Sequence, residues 1–340
     1  MRLAIILFNL GGPDSPEAVE PFLRNLFSDA AIISLPAILR LPLARMIARR
    51  RAPVARKIYD HIGGRSPIFE ETRRQANALE AALSRDGVEA KAFIAMRYWH
   101  PFSDGAARAV KAFAPDKIVL LPLYPQYSTA TSASSLKDWA RAAKKVELKV
   151  PTSLVCCYPY DLSFVASAAA RIHEAARDLK PATGYRLLLS AHGLPKRTIA
   201  RGDPYQWQVE QSAAAVVKAL NRPEWETVVC YQSRVGPLEW IGPGTDAEIR
   251  RAGRDGKGVI LAPIAFVSEH SETLVELDIE YRKLAAEAGV PDYRRAATVG
   301  TQRDFIDGLA GLVRAALDGK TITCGNGRIC PSEHKCCGYN

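Results

Sequence analysis

One histidine and a set of glutamates carry the strongest chemical signal in this chain. His192 stands where an apolar run breaks into Gly193, and a second apolar run ends in Glu269-His270-Ser271-Glu272. A lone histidine at such a position is most often structural, but carboxylates facing it across a cleft make it a general base, because imidazole titrates near neutral pH. Glu272, Glu276 and Glu280 then recur every four residues. In an α-helix each step of four drifts by only ~40° around the axis, so the three would stack on one face. Such a row is normally solvated. Here Leu274, Val275, Leu277, Ile279 and Tyr281 take up most of the remaining surface, so the row is expected to line an interior channel. Like charges at this spacing repel, and buried carboxylates need a cation or protons. A metal route or a proton outlet meets both demands. Imidazole nitrogen with carboxylate oxygen suits a divalent first-row metal that must be bound and then released.

A second set is aromatic and basic. Arg97-Tyr98-Trp99-His100 and Tyr124-Pro125-Gln126-Tyr127-Ser128 both follow strand-like runs, and would suit a flat apolar ligand with carboxylate edges. There is no G-x-G-x-x-G and no Walker loop, which argues against dinucleotide and nucleoside-triphosphate chemistry. The seven cysteines are an odd number, and a disulfide framework is disfavoured in a reducing compartment. Cys156 and Cys157 are adjacent, Cys230 is alone, and Cys324, Cys330, Cys336 and Cys337 crowd the C-terminus. Exposed thiols oxidise, so a ligated metal centre is the economical reading of that crowding.

Both residue sets depend on strands to place them. Strand-like runs at 2–9, 89–96, 117–124 and 147–155, then 185–191, 226–232, 258–266 and 291–297, alternate with helical patterns such as 66–84 and 163–179. Runs such as Ile118-Val119-Leu120-Leu121 are apolar throughout, which predicts parallel sheets covered by helices on both faces. Four strands per half predict an α/β fold of two domains, 1–157 and 158–318, with a Cys-rich tail at 319–340. Parallel sheets bind ligands beyond the carboxyl ends of their strands, where both residue sets fall. The halves also echo each other: Asn9-Leu10-Gly11-Gly12-Pro13 against Ala191-His192-Gly193-Leu194-Pro195, and Leu120-Leu121-Pro122 against Leu261-Ala262-Pro263. The longer first half places its extra chain at about 31–70. Within it, Leu35–Arg51 mixes Ile38, Leu39, Leu41, Leu43, Met46 and Ile47 with five arginines. That segment is either a helix packed on its own domain or an apolar lip that also touches anionic lipid.

The composition of the 340 residues, 48% hydrophobic and 24% charged, is that of a globular enzyme. No run approaches the ~18 apolar residues of a membrane span. Leu3–Leu10 lacks a cleavage site, so no signal peptide is expected and the default location is the cytoplasm. The net charge of +10 permits nucleic acid, an anionic membrane or an anionic small molecule as partner. The scatter of the basic residues argues against nucleic acid.

To about residue 318 the sequence resembles the ferrochelatases. The shared stretches are Asn9–Pro13, Arg97-Tyr98, Tyr124–Ser128, Ser190–Pro195, Tyr231–Pro237 and Pro263–Phe266 through Glu280-Tyr281. The resemblance implies two Rossmann-like, chelatase-type domains, each with a four-stranded parallel sheet flanked by helices, around a porphyrin cleft. It implies a bacterial enzyme that inserts Fe2+ into protoporphyrin IX to form haem b with release of two protons, the last step of haem biosynthesis. His192 becomes the active-site histidine, His192 and Glu272 the pair for the substrate iron, and Glu276 and Glu269 further catalytic carboxylates; Glu269 stands where some members have aspartate. Leu10, Arg97, Tyr98, Tyr127 and Ser128 become the porphyrin-binding residues. Some members hold a [2Fe–2S] cluster with three tail cysteines and an internal one. Thr129 stands near where animal members supply the internal ligand, so Cys324, Cys330, Cys336 and Cys337 are expected to hold the cluster here, since four thiolates suffice. Cys156, Cys157 or His334 are possible substitutes, and zinc or a loose redox-sensitive tail are the rivals. Contact with the inner face of the cytoplasmic membrane is expected through the insert. The alternatives are coproporphyrin III or another tetrapyrrole as substrate, and a carrier of haem or a metal chelate without chemistry.

Overall fold

The computed structural model describes residues 1–84, 89–179, 184–234, 238–318, 321–325 and 327–339; the Val235-Gly236-Pro237 part of one shared stretch therefore lies outside the described residues. Two parallel sheets organise them. The first has the order β2-β1-β3-β4-β9 and the second β6-β5-β7-β8. The strands are β1 (Arg2–Asn9), β2 (Glu89–Met96), β3 (Lys117–Pro122), β4 (Thr152–Cys157), β5 (Tyr185–His192), β6 (Glu226–Gln232), β7 (Gly258–Pro263), β8 (Tyr293–Arg295) and β9 (Thr321–Thr323). The helices are α1 (Val19–Phe27), α2 (Ala37–Asp60), α3 (Ile68–Ser84), α4 (Ser103–Phe113), α5 (Ser132–Lys145), α6 (Leu162–Ala175), α7 (Lys196–Ala200), α8 (Tyr205–Leu220), α9 (Thr245–Arg254), α10 (Tyr281–Glu287) and α11 (Arg303–Ala315).

β1 and β5 are interior strands of their sheets, and their largely apolar runs are buried on both faces, as helix-covered parallel sheets require. The two sheets repeat one topology, because the first four strands of each half take the same spatial order. Pro122 and Pro263 sit at equivalent register positions, beside Phe8 of β1 and Ser190 of β5. One apolar cluster runs from Leu3, Ile5 and Leu7 of β1 to Leu187 and Leu189 of β5. Buried polar struts cross the same seam: Gln75 Nε2 on α3 donates to the carbonyls of Val267 (2.9 Å) and Gly300 (3.0 Å).

Two strand expectations need correction. The fourth run begins at Thr152, not at 147, because α5 reaches Lys145 and Glu147 then takes a left-handed turn, φ 54°. The first sheet has five strands, not four. The fifth, β9, comes from the Cys-rich tail and pairs with β4.

The insert forms α2, which lies against α1. Its buried positions are Ala44, Ala48, Ala52 and Tyr59; the three alanines, four residues apart, are small side chains on one face that let the helices approach. The larger apolar residues point outward: Ile38 is 81% exposed, Leu39 58%, Leu41 51% and Val54 63%. No helix among the described residues is long and apolar enough to cross a membrane.

Candidate active site

His192 is the last residue of β5, so an interior strand of the second sheet delivers it to the carboxyl end. Its Nδ1 lies 2.9 Å from Glu272 Oε2, with side-chain exposures of 37% and 28%. The pair is rigidly carried yet open on one side. Glu272 begins a π-helix, Glu272–Glu280, a winding concentrated at functional sites. Glu272 and Glu276 remain together, whereas Glu280 is exposed and does not extend the row.

The two inner carboxylates meet at Ser233, just past the end of β6. Its left-handed backbone, φ 58°, aims both its N–H and its hydroxyl at the π-helix. The N–H donates to Glu276 Oε1 at 2.9 Å, and the hydroxyl reaches Glu276 and, at 3.4 Å, Glu272. Tyr281 donates its hydroxyl to Glu276 Oε1 at 3.0 Å. Glu269, by contrast, is already committed. It accepts two bonds from Arg295 (3.0 and 3.2 Å) and one from the Thr298 N–H (2.9 Å).

Charge separates the two inner carboxylates. Burial opposes ionisation of Glu272, but the charge and hydrogen bond of His192 overcome it and hold the carboxyl down at about 2. Burial and the neighbouring Glu272 charge push Glu276 above the usual carboxylate range. Burial pulls His192 down, yet Glu272, helped by Glu276, raises it overall. An ionised carboxylate beside an imidazole, with a proton-accepting carboxylate behind, is a base with an outlet.

Two further residues neighbour the pair, of which only His270 stood in a stretch that the sequence singled out. Tyr59 of α2 is buried, and the Ser271 hydroxyl donates to it at 3.5 Å, so the insert touches the active-site helix. Burial, with the Glu272 charge, pushes its phenol up to about 12. His270 packs on Phe266 with Nδ1 3.1 Å from the Ser268 carbonyl.

The expected porphyrin-binding residues divide into two groups. Leu10, Tyr98 and Trp99 pack with Tyr59 in one cluster beneath α1 and α2. Arg97 is not a free cation: it bonds Asp29 at 2.8 Å and the Ser134 hydroxyl at 2.7 Å. Asp29 also accepts from the Tyr98 hydroxyl at 3.0 Å and from Ser134. Burial opposes its ionisation, but these donors hold its carboxyl below the usual range. A cavity of about 470 Å³ opens beside this pair, lined by residues that include His100, Arg108 and Arg141 but not His192 or Glu272. Tyr127 and Ser128 lie elsewhere. Tyr127 packs on Cys156 and Cys157, and the Ser128 hydroxyl donates to Asp203 at 3.1 Å. The structure does not bring these two to the Leu10–Tyr98 cluster.

The tail cysteines also separate. Cys337 contacts Cys156 and Cys330, and Cys156 contacts Cys157. Gln208 donates to both ends of this chain of thiols, Cys157 (3.4 Å) and Cys330 (3.0 Å). All four are buried, whereas Cys324 and Cys336 are partly exposed and Cys336 Sγ instead bonds the Arg201 carbonyl at 3.3 Å. The four tail thiols therefore do not form one group; two internal cysteines replace two of them. The hydrogen bonds from Cys156 and Cys330 favour the Cys337 thiolate, while the Cys156 thiol is pushed up. Among the described residues, no three His, Cys, Asp or Glu side chains are arranged to hold a single metal ion.

A family model described as Ferrochelatase matches residues 2–317. A ferrochelatase of Caulobacter vibrioides (strain NA1000 / CB15N) is 56% identical over 92% of this chain and 90% of its own length. That of Phenylobacterium zucineum (strain HLK1) is 54% identical over 99% of this chain and 98% of its own. The structure of SirB from Bacillus subtilis with Fe3+ superposes at a TM-score of 0.54, covering 94% of this chain and 97% of that one at 15% identity, a likeness of fold. Matched over nearly its whole length by the family model and by relatives above half identity, the chain belongs to the ferrochelatase family.

Proposed function

We propose that this enzyme inserts Fe2+ into protoporphyrin IX to give haem b and two protons, the closing step of haem biosynthesis. The observation that carries the reading is the open His192–Glu272 pair at 2.9 Å with Glu276 behind it. Nδ1 of His192 is engaged by Glu272, which orients the ring and leaves Nε2 to take a pyrrole proton. Glu272 stays ionised and so serves as partner to the imidazolium and offers carboxylate oxygen to the entering iron, which His192 would ligate only through Nε2 and only while that nitrogen is unprotonated. Glu276, raised by burial, receives protons that pass through Ser233. A free-base porphyrin hides its nitrogen lone pairs in the ring plane, so a cleft that holds it bent toward the metallated shape lowers the barrier. Leu10 and Trp99 supply the apolar wall, with the fully buried Tyr98 packed behind it. Mixing the enzyme with Fe2+ and either protoporphyrin or coproporphyrin III, followed by absorbance, tests this. Haem b should form at least tenfold faster than the coproporphyrin product. The reverse order assigns the alternative substrate, and binding without metallation makes the protein a carrier.

The same reading places the enzyme in the cytoplasm, against the inner face of the membrane. Ile38, Leu39, Leu41 and Val54 are exposed on α2, the same helix that exposes Arg49, Arg50 and Arg51, and exposed apolar side chains with arginines on one helix suit an anionic bilayer. Replacing the three arginines by Gln should weaken binding to anionic vesicles by up to ~1 kcal/mol per charge. Unchanged sedimentation contradicts the contact.

Cys156, Cys157, Cys330 and Cys337 fit a thiolate-held centre of the [2Fe–2S] type, since four buried thiols gather there and four thiolates suffice. When bound, that centre supplies cross-links between the end of β4 and the tail rather than any step of metal insertion.

A further inference from the structure

The four thiols leave one buried polar group to explain. Gln208 lies on α8, in the second half of the chain, and is 0% exposed. Its Oε1 accepts the Tyr127 N–H at 2.7 Å. That bond fixes the amide: a backbone N–H can only donate, so the oxygen must face Tyr127 and the NH2 must face the other way. The NH2 then points at two sulfurs, Cys157 Sγ at 3.4 Å and Cys330 Sγ at 3.0 Å. With no solvent at the site, both N–H bonds must find acceptors there. A neutral thiol is a weak acceptor, whereas a metal-bound thiolate offers lone pairs that gain from such donors. The three groups that Gln208 touches come from distant parts of the chain: the loop after β3, the end of β4 and the tail.

We infer that Gln208 is a positioning residue for a thiolate-held centre at Cys156, Cys157, Cys330 and Cys337, donating both side-chain N–H bonds to ligand sulfurs. The inference rests on the thiolate-centre reading given above. Gln208 contributes no ligand atom. It orients two of the sulfurs, offsets their charge and ties them to the seam through Tyr127. Partners of this kind typically control metal retention by 10–100-fold.

The test begins on wild-type protein purified without oxygen and analysed for iron, acid-labile sulfide and zinc. Protein free of all three overturns the thiolate-centre reading and Gln208's role with it. If a centre is present, metal loss to excess EDTA is timed for wild type, Gln208→Met and Gln208→Glu. Met keeps the bulk without donors. Glu keeps the acceptor for Tyr127 but has no N–H. Both should release metal ten- to a hundredfold faster than wild type, with circular dichroism confirming the fold. Wild-type release by both, or by Met alone, overturns the inference, because Glu could then act only by repelling the sulfurs. Should neither variant fold, wild type labelled with 15N at glutamine keeps the test open where the centre is an iron–sulfur cluster. The reduced cluster should couple magnetically to one side-chain amide nitrogen. Absence of that coupling overturns the assignment.

Discussion

The carboxyl ends of β1 and β5 occupy the same place in two sheets of the same strand order, yet they are furnished in opposite ways. At the first, polar groups are closed on one another. Asn9 at the end of β1 donates to Thr72 at 3.0 Å, and Arg97 at the equivalent end of β2 is neutralised by Asp29. At the second, His192 and Glu272 face each other with more than a quarter of each side chain exposed. A repeated fold thus supplies two equivalent crevices, and the difference lies in whether charge is satisfied internally or left for a substrate. On the proposed reading, one end makes a wall and the other does the chemistry.

The comparison breaks most severely at Glu272. Glu272→Gln keeps the shape and a hydrogen bond to His192 but removes the charge that raises it. Turnover should fall at least 10²-fold with porphyrin affinity kept, the cost typical of a general acid–base group. Turnover within threefold of wild type would mean that the open pair is not the reacting one.

Closing the difference from the other side should affect stability rather than rate. Asp29→Asn leaves Arg97 without its counter-charge in a mostly buried site, where its side chain is 21% exposed. Stability in urea should drop by about 1.5–3 kcal/mol, the range for a hydrogen bond to a charged group. A variant as stable as wild type but unable to bind porphyrin would make Arg97 a substrate ligand instead of a wall.

These contrasts were only partly readable in the chain. The positions of the strands along the chain, though not their order in the sheets, were legible because runs such as Leu3–Phe8 and Ile118–Leu121 are apolar without alternation, and His192 and Glu272 were legible because both end or follow such runs. Three-residue β9 was not, because so short a run carries no periodicity. The spacing of Glu272, Glu276 and Glu280 was read on a helical wheel, which puts all three on one face but does not show that Ser233 engages only the first two while Glu280 stays exposed. Asp29 lies just after α1 and before the insert, with no motif around it, so the neutralisation of Arg97 could not be foreseen. The cysteine grouping depends on β9 returning the tail to β4, a tertiary event that brings Cys330 and Cys337 to Cys156 and leaves Cys336 outside.

Glu269 sharpens the comparison through pH. Burial disfavours its ionised form, but Arg295 and the Thr298 N–H outweigh burial and lower its folded pKa. Its contribution to stability is therefore present above the unfolded value of ~4.3 and is lost as pH falls through the lower, folded value. The stability gap between wild type and Glu269→Gln should be constant from pH 8 to 6 and narrow below about pH 4.5. A gap that widens on acidification contradicts the ion pair.

Glu280 marks the edge of the site and should show the smallest effect. Glu280→Gln is expected to change stability by less than about 0.5 kcal/mol and to leave turnover alone, with Glu276→Gln between it and Glu272→Gln. Equal losses at all three positions would restore the continuous row.

His192 gives the most direct test. His192→Ala and wild type are compared for protoporphyrin binding, by fluorescence, and for Fe2+ insertion under the same conditions, by absorbance. If His192 takes the pyrrole protons, binding stays within a few-fold while insertion falls by 10²–10⁴. A variant that keeps more than about a tenth of wild-type turnover would show that the proton acceptor is another group.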